Sequence, residues 1–286
     1  MIPAKFDYAR PSTVEEAVQA LAGGGDDPKV IAGGQSFIPV LRLRLAAPST
    51  VVDIGSIDEL HQLSTEGDKI RIGSMVTHAE ILDSPVVAEH LPLLHQVTET
   101  VADRQVRHRG TLGGALAHAD PAGDLGSAAV ALKAEFEIAG PDGRRTVAAA
   151  DFFVDYLTTT IEENEVLVSM SFPRSGDFKT HYEKFNRMAQ GWATVASAVA
   201  VKVDGDTISD ARVGLTNMGS VPIRAAGVEA ALVGKSVTAD TVREAAEHAD
   251  EGTSPTDDLS AKADYRRHLA KVLTRRALEK ALGLTQ

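Results

Sequence analysis

Val14, Ala17, Val18 and Leu21 recur at the i, i+3, i+4, i+7 spacing that places four apolar side chains on one helix face. Ser12 with Glu15, just ahead of them, has the spacing of a capping box, in which each side chain bonds a free amide at the helix start. Gly23-Gly24-Gly25 then ends the helix as a flexible exit that needs positive φ. Lys29 to Ala32 reads as a short buried strand running directly into Gly33-Gly34. After an amphipathic segment from Val40 to Leu45, Thr50 to Asp53 reads as a second strand, so a small β-α-β unit is expected. Ile70 to Gly73 is a further strand, and Thr77 with Glu80 repeats the capping-box pattern ahead of another helix.

From about Ala129 the period changes. Ala134 to Ile138 alternates as a strand, Gly140-Pro141-Asp142-Gly143 forms a turn, and Glu165 to Phe172 is a longer strand. Pro173-Arg174-Ser175-Gly176-Asp177 is polar and turn-rich, which sets the expected boundary between domains 1–176 and 177–286. Beyond it, strands are expected over 195–203 and 208–215, and helices over 237–249 and 264–281. The pattern predicts an α+β chain in two parts.

Composition narrows the function classes. At 286 residues, 43% of them hydrophobic, the chain has material for a sizeable core. No run of about 18 apolar residues predicts a membrane span, and the start from Met1 to Asp7 lacks the pattern of a secretory leader. There is no cysteine, which removes disulfides, thiolate metal sites and protein-ligated iron–sulfur clusters from this chain. A formal net charge of -11 disfavours nucleic acid as a partner. The basic residues near the C-terminus (Arg266, Arg267, Lys271, Arg275, Arg276, Lys280) fall at helical spacing and read as a solvated helix face. A cytoplasmic protein without membrane insertion is expected.

Two segments carry candidate chemistry. One is Ile31-Ala32-Gly33-Gly34-Gln35-Ser36; the other is Gly110-Thr111-Leu112-Gly113-Gly114-Ala115, followed by Asp120-Pro121-Ala122-Gly123-Asp124. Paired glycines let successive amides turn toward one concavity and make an anion nest. Ser36 and Thr111 add hydroxyls, and a carboxylate such as Asp124 suits a sugar or ribityl hydroxyl. Residue pattern alone supports a phosphate or dinucleotide ligand, with a pair of tight turns as the plain alternative. No G-x-G-x-x-G, P-loop, G-x-S-x-G or H-E-x-x-H pattern occurs. His90 and His95 have the wrong helical spacing for a shared metal, and Arg107-His108-Arg109 reads as surface or as counter-charge near the second loop.

On these motifs the chain resembles the FAD-binding medium subunit of molybdenum hydroxylases, the group with carbon monoxide dehydrogenase and xanthine dehydrogenase. The resemblance extends through Glu165-Val166-Leu167 and Tyr182-Glu183-Lys184-Phe185 to Trp192-Ala193-Thr194-Val195-Ala196, covering nearly the whole chain. It implies a two-subdomain FAD-binding fold of the vanillyl-alcohol-oxidase-like (PCMH) kind, about 1–56 and 57–176, followed by a C-terminal domain of antiparallel sheet and helices. Residue by residue it implies that Ala32, Gly33, Gly34, Gln35 and Ser36, with Thr111, Leu112, Gly113, Gly114 and Ala115, hold the FAD pyrophosphate. Asp124 would bond ribityl or ribose hydroxyls, and Leu167 and Lys184 occupy later contact positions. Lys184 would face negative charge on the reduced ring, with an ordinary surface lysine as the alternative. Trp192 stands where relatives place an aromatic near the isoalloxazine, with core packing as the alternative; Val101 is expected to touch the cofactor, and Thr77 and His78 to lie near the ring. Relatives often have Asn or Ser at the position of Ala115.

The same resemblance implies partners. A large subunit would hold a molybdenum cofactor and a small subunit two [2Fe-2S] clusters, in a heterotrimer doubled to a heterohexamer. This chain would take electrons from the clusters and pass them to an external acceptor. A self-contained FAD oxidase or reductase acting on a small organic substrate, and a scaffold without cofactor, are the alternatives.

Overall fold

A computed structural model of the chain describes residues 2–284; Met1, the first residue of the segment read for a leader, lies outside them. The first helix, α1 (Val14–Ala22), buries all four stripe residues. Its cap is Thr13, not Ser12: the Thr13 hydroxyl accepts from the Glu16 amide at 3.1 Å. Glu16 reaches back to the Ser12 amide and hydroxyl, both at 2.8 Å. Ser-Thr followed by Glu-Glu offers the box in two registers, and the later one satisfies an extra donor. The left-handed exit falls at Gly25, with φ 79°. Strands β1 (Asp7–Ala9), β2 (Lys29–Ile31) and β3 (Thr50–Asp53) form a parallel sheet in the order β1-β3-β2. Helix α2 (Phe37–Arg42) joins β2 to β3, as the β-α-β reading requires.

A second, antiparallel sheet contains β4 (Leu63–Glu66), β5 (Lys69–Gly73), β6 (Glu135–Gly140) and β7 (Gly143–Ala148). A short hairpin, β8 (Phe153–Asp155) and β9 (Thr158–Thr159), precedes β10 (Val166–Pro173), which enters this second sheet at its centre. A central strand is covered on both faces, and β10 is accordingly apolar nearly throughout. Val166 and Val168 pack with Val14, Leu21 and Val52 on one side; Leu167, Met170 and Phe172 join the helices on the other. Those helices are α3 (His78–Asp83), α4 (Pro85–His90), α5 (Pro92–Glu99) and, past the short α6 (Arg104–Arg107) that buries none of its residues, α7 (Leu112–His118), α8 (Asp124–Ala131) and α9 (Ala149–Phe152). The capping box at Thr77 and Glu80 forms as expected.

The last sheet is antiparallel, β11 (Lys179–Phe185), β12 (Val195–Asp204), β13 (Thr207–Thr216) and β14 (Ile223–Arg224) in order. Helices α10 (Ala226–Leu232), α11 (Ala239–Ala246) and α12 (Ala263–Leu282) complete it, and Leu269, Leu273 and Leu278 of α12 share a core with Val195 and Val199. Helix α8 lies against this sheet as well. A Cβ on Gly214 would collide with the Ser127 carbonyl, and the Thr216 hydroxyl donates to Ser127 Oγ at 2.7 Å. Every residue of α8 is buried as a result.

One residue of the expected solvated face is corrected. Arg266 is 1% exposed, its guanidinium donating to the Thr194 carbonyl and to Asp258. The loop before α12 folds back and supplies Asp258 to the helix's first turn, so this cation is taken inward, while Arg276 and Lys280 remain exposed. Among the described residues no helix is long and apolar enough to cross a membrane.

Candidate functional site

The first glycine loop is built as a nest. Gly34 adopts φ +74°, a conformation in which a side chain is strained. Gly33 abuts the second loop so closely that a Cβ would run into the Arg109 carbonyl and the Gly110 Cα. Among the described residues, no backbone amide from Gly33 to Phe37 donates to a protein acceptor. Five successive amides are therefore free to serve an anion. Ser36 caps α2 without a side-chain bond, which leaves its hydroxyl free as well.

The second loop is built differently. Most of its amides are taken: Leu112 donates to the Val76 carbonyl at 3.0 Å, Gly113 to Ser74 at 3.1 Å, and Ala115 to Thr111 at 3.1 Å. The Gly114 amide donates to Thr111 Oγ1 at 3.0 Å, so Thr111 is the cap of α7. Its glycines instead permit close approach. A Cβ on Gly113 would strike Ser74, and one on Gly110 would stand 3.0 Å from the His78 ring. The symmetry expected between the two loops is absent, because one offers donors and the other forms a wall.

Between them opens a cleft of about 720 Å³, within the size range of small-ligand sites. Ala32, Gly33, Gly34, Gln35 and Ser36 line it, as do Thr111, Gly114 and Ala115. Val101, Asp124, Lys184 and Trp192 line it too, and His78 with them. Leu112 and Gly113 face away and are buried. Leu167 belongs to the core behind the cleft and is 5% exposed. Trp192 is 59% exposed at the rim, which excludes core packing for it.

The polar end of the cleft is an ion pair. Lys184 Nζ donates to Asp124 Oδ2 at 2.7 Å and to the Thr100 carbonyl at 3.3 Å, so Lys184 is not a surface lysine. The Tyr182 hydroxyl donates to Asp124 Oδ1 at 2.6 Å. Burial pushes the Asp124 carboxyl above its usual range, against the opposing pull of Lys184 and of the Tyr182 hydrogen bond. Burial, then the Asp124 charge, pushes the Tyr182 phenol well above 10. His78, 3% exposed, is pushed down to about 4, by burial first and by Arg107 second.

Two residues have roles that sequence reasoning missed. Tyr182 and Lys184 are two apart on β11 and so share a face, a signal present in the strand period. Arg107 is a backbone clamp: it donates to the Val101 and Ala102 carbonyls at 2.8 and 3.0 Å and fixes the cleft wall at Ala102, whose φ is 40°. No local sequence signal marks it.

Residues 4–175 match the family described as FAD binding domain in molybdopterin dehydrogenase, and residues 180–281 match the CO dehydrogenase flavoprotein C-terminal domain. The chain belongs to the FAD-binding medium-subunit family of molybdenum hydroxylases. It is 40% identical to the carbon monoxide dehydrogenase medium chain of Hydrogenophaga pseudoflava over 282 residues, 98% of each chain. It is 35% identical to the glyceraldehyde dehydrogenase medium chain of Sulfolobus acidocaldarius over 279 residues, 98% of this chain and 99% of that one. A structure of the Hydrogenophaga pseudoflava carbon monoxide dehydrogenase that lacks the Mo-pyranopterin moiety of its molybdenum cofactor matches with a TM-score of 0.96 over all of both chains, at 40% identity. This medium subunit is an oxidoreductase component with the α+β fold of that family, an FAD-binding domain followed by a C-terminal flavoprotein domain.

Proposed function

We propose that this medium subunit binds FAD in the cleft, receives electrons from [2Fe-2S] clusters of a small partner subunit, and delivers them to an external acceptor. The observation that carries this reading is the cleft itself, with a row of free amides at one end and the buried Asp124–Lys184 pair at the other. The residues present fit the cofactor. The amides of Gly33 to Phe37 and the Ser36 hydroxyl would hold a pyrophosphate, with Thr111, Gly114 and Ala115 closing over it. Asp124 would accept from ribityl or ribose hydroxyls, and Lys184 would present its charge to the ring, which Val101 and Trp192 would flank. Leu112, Gly113 and Leu167 would act from behind, by shaping the wall. Bound FAD supplies a centre that exchanges one or two electrons, the property that a link between clusters and a two-electron acceptor needs. The rest of the subunit's work is to hold that centre and keep water from it.

The large partner would carry the molybdenum cofactor, and the assembly would be a cytoplasmic heterohexamer, two copies of a heterotrimer. Within the chain, residues 1–176, in two parts at about 1–56 and 57–176, would form the FAD-binding domain and 177–286 the second domain. The substrate of the whole complex belongs to the large subunit; relatives are named for carbon monoxide and for glyceraldehyde. The test is the visible spectrum of the purified chain, with the released cofactor identified by mass. Oxidised-flavin bands and the mass of FAD are expected, and a colourless chain that takes up no added FAD rejects the reading.

A further inference from the structure

We infer that Tyr182 is a positioning residue: its phenol, buried against one oxygen of Asp124, holds that carboxyl as an acceptor for hydroxyl groups of the bound cofactor. The inference rests on the FAD reading above, and Tyr182 acts on the cofactor only through Asp124. Tyr182 is 7% exposed, and its hydroxyl donates to Asp124 Oδ1 at 2.6 Å. Lys184 Nζ donates to the other oxygen at 2.7 Å. Each oxygen of an ionised carboxylate can accept more than one hydrogen bond, so capacity remains toward the cleft that Asp124 lines. A proton on the carboxyl would take up part of that capacity and turn one oxygen into a donor.

The last sheet is shaped to bring the phenol there. Tyr182 on β11 stands opposite Ala198 on β12, and Ala198 opposite Gly214 on β13, so one row of the sheet runs from a large residue to two of the smallest. Helix α8 presses into that hollow, with the Ser127 carbonyl where a Cβ of Gly214 would lie, and Asp124 is its first residue. Tyr182 sits in the same core as Phe136, Phe152 and Phe172, where phenylalanine would pack equally well; the hydroxyl is what sets it apart. Burial raises the proton affinity of Asp124, and Lys184 and the Tyr182 hydrogen bond oppose it. The phenol stays a donor, because burial and then the Asp124 charge hold it protonated. Around Asp124, β11 brings Lys184 and Tyr182, while β12 and β13 bring Ala196, Ala198, Gly214 and Thr216. His118 and Asp120, from α7 and the loop after it, share the cleft with His78 and Lys29. Glu99, at the end of α5, lines a neighbouring hollow with Lys184.

The test follows one ionisation by two routes, in the full-length chain and in Tyr182→Phe, each held below its melting point. With flavin removed, infrared difference spectra across a pH series give the carboxylic-acid band of Asp124, identified by its loss in Asp124→Asn. In Tyr182→Phe that band is expected to appear about one pH unit higher, the tenfold worth of one hydrogen bond to a charged group. The Kd for FAD, titrated over the same series, is expected to rise where the band appears, and to do so at the higher pH in the variant. At alkaline pH, with Asp124 ionised in both chains, the two Kd values should approach one another. A variant that binds FAD more weakly by the same factor at every pH, or whose band stays where it was, overturns the inference and leaves Tyr182 a packing residue. A band that moves while FAD affinity does not follow it overturns the inference as well. A wild-type chain that takes up no FAD at any pH rejects the cofactor reading and this inference with it, whereas an unmoved band rejects only the role of Tyr182.

Discussion

Lys184 stands 60 positions after Asp124 in the chain, yet the two side chains meet at 2.7 Å and are 7% and 5% exposed. Each is supported by a further hydrogen bond, Asp124 from Tyr182 and Lys184 to Thr100. Desolvating a charge costs several kcal/mol, and a buried pair survives only when partner and hydrogen bonds together offset that cost. Removing one member leaves the other buried and uncompensated. Asp124→Asn and Lys184→Met should each destabilise the chain by about 3–5 kcal/mol. The double variant should recover much of the loss, as read from a denaturant double-mutant cycle. Additive losses would show that the two side chains do not depend on one another.

The two glycines of the first loop should respond unequally. In Gly33→Ala the new Cβ meets the backbone of Arg109 and Gly110, which cannot move without parting the loops. In Gly34→Ala the Cβ meets the flexible end of Ile38, and the main penalty is positive φ, about 1–2 kcal/mol. Flavin absorbance per purified chain should fall further in Gly33→Ala than in Gly34→Ala. The opposite order would place the decisive constraint at Gly34 rather than at the contact between loops.

Acid should weaken the empty chain through His78. Its folded pKa of about 4 lies below the 6.5 of an unperturbed imidazole, with burial as the main cause and Arg107 as the second. Between those values the unfolded chain binds the proton and the folded chain does not, so stability falls as pH drops from about 6.5 to about 4. The total is about 3 kcal/mol in order of magnitude. His78→Phe should flatten that part of the stability–pH curve; a variant as acid-sensitive as the parent would assign the effect to other groups.

Arg266 should behave as a structural cation. Arg266→Ala removes the buried guanidinium that donates to the Thr194 carbonyl and to the half-exposed Asp258, and should cost about 1–3 kcal/mol. Arg266→Met, which keeps the side-chain volume, should cost less. Both should retain flavin stoichiometry below their melting points, because Arg266 is not among the residues that line the cleft.

The legible elements were those whose own residues decide their environment. The stripe on α1 and the apolar runs at Thr50–Asp53 and Val195–Asp204 carry their period in the sequence, and each formed within a residue or two of expectation; Lys29–Ile31 formed as a strand but is not buried as expected, Lys29 being exposed and Val30 and Ile31 only partly covered. Helix α8 carries none, since it is covered on all sides and its small residues answer to neighbours elsewhere in the chain. The central position of β10 is equally non-local. At the site, paired glycines marked both loops, but not which loop would keep its amides free. That difference depends on Ser74 and Val76, whose carbonyls reach the second loop from the end of β5. Arg266 was misread because its partner Asp258 sits in an irregular loop with no period to follow.

Helix α8 touches β11 through Asp124 and β13 through Ser127, and Gly126 is pressed against Pro222. These contacts make the two halves of the chain poor candidates for recombination between relatives. A chimaera that takes its first half from one medium subunit and its second from another must inherit Asp124 with Tyr182 and Lys184, and Ser127 with Gly214 and Thr216, as matched sets. Substitutions on the helix and on the sheet are therefore expected to travel together as these subunits diverge, because neither side can change its shape alone.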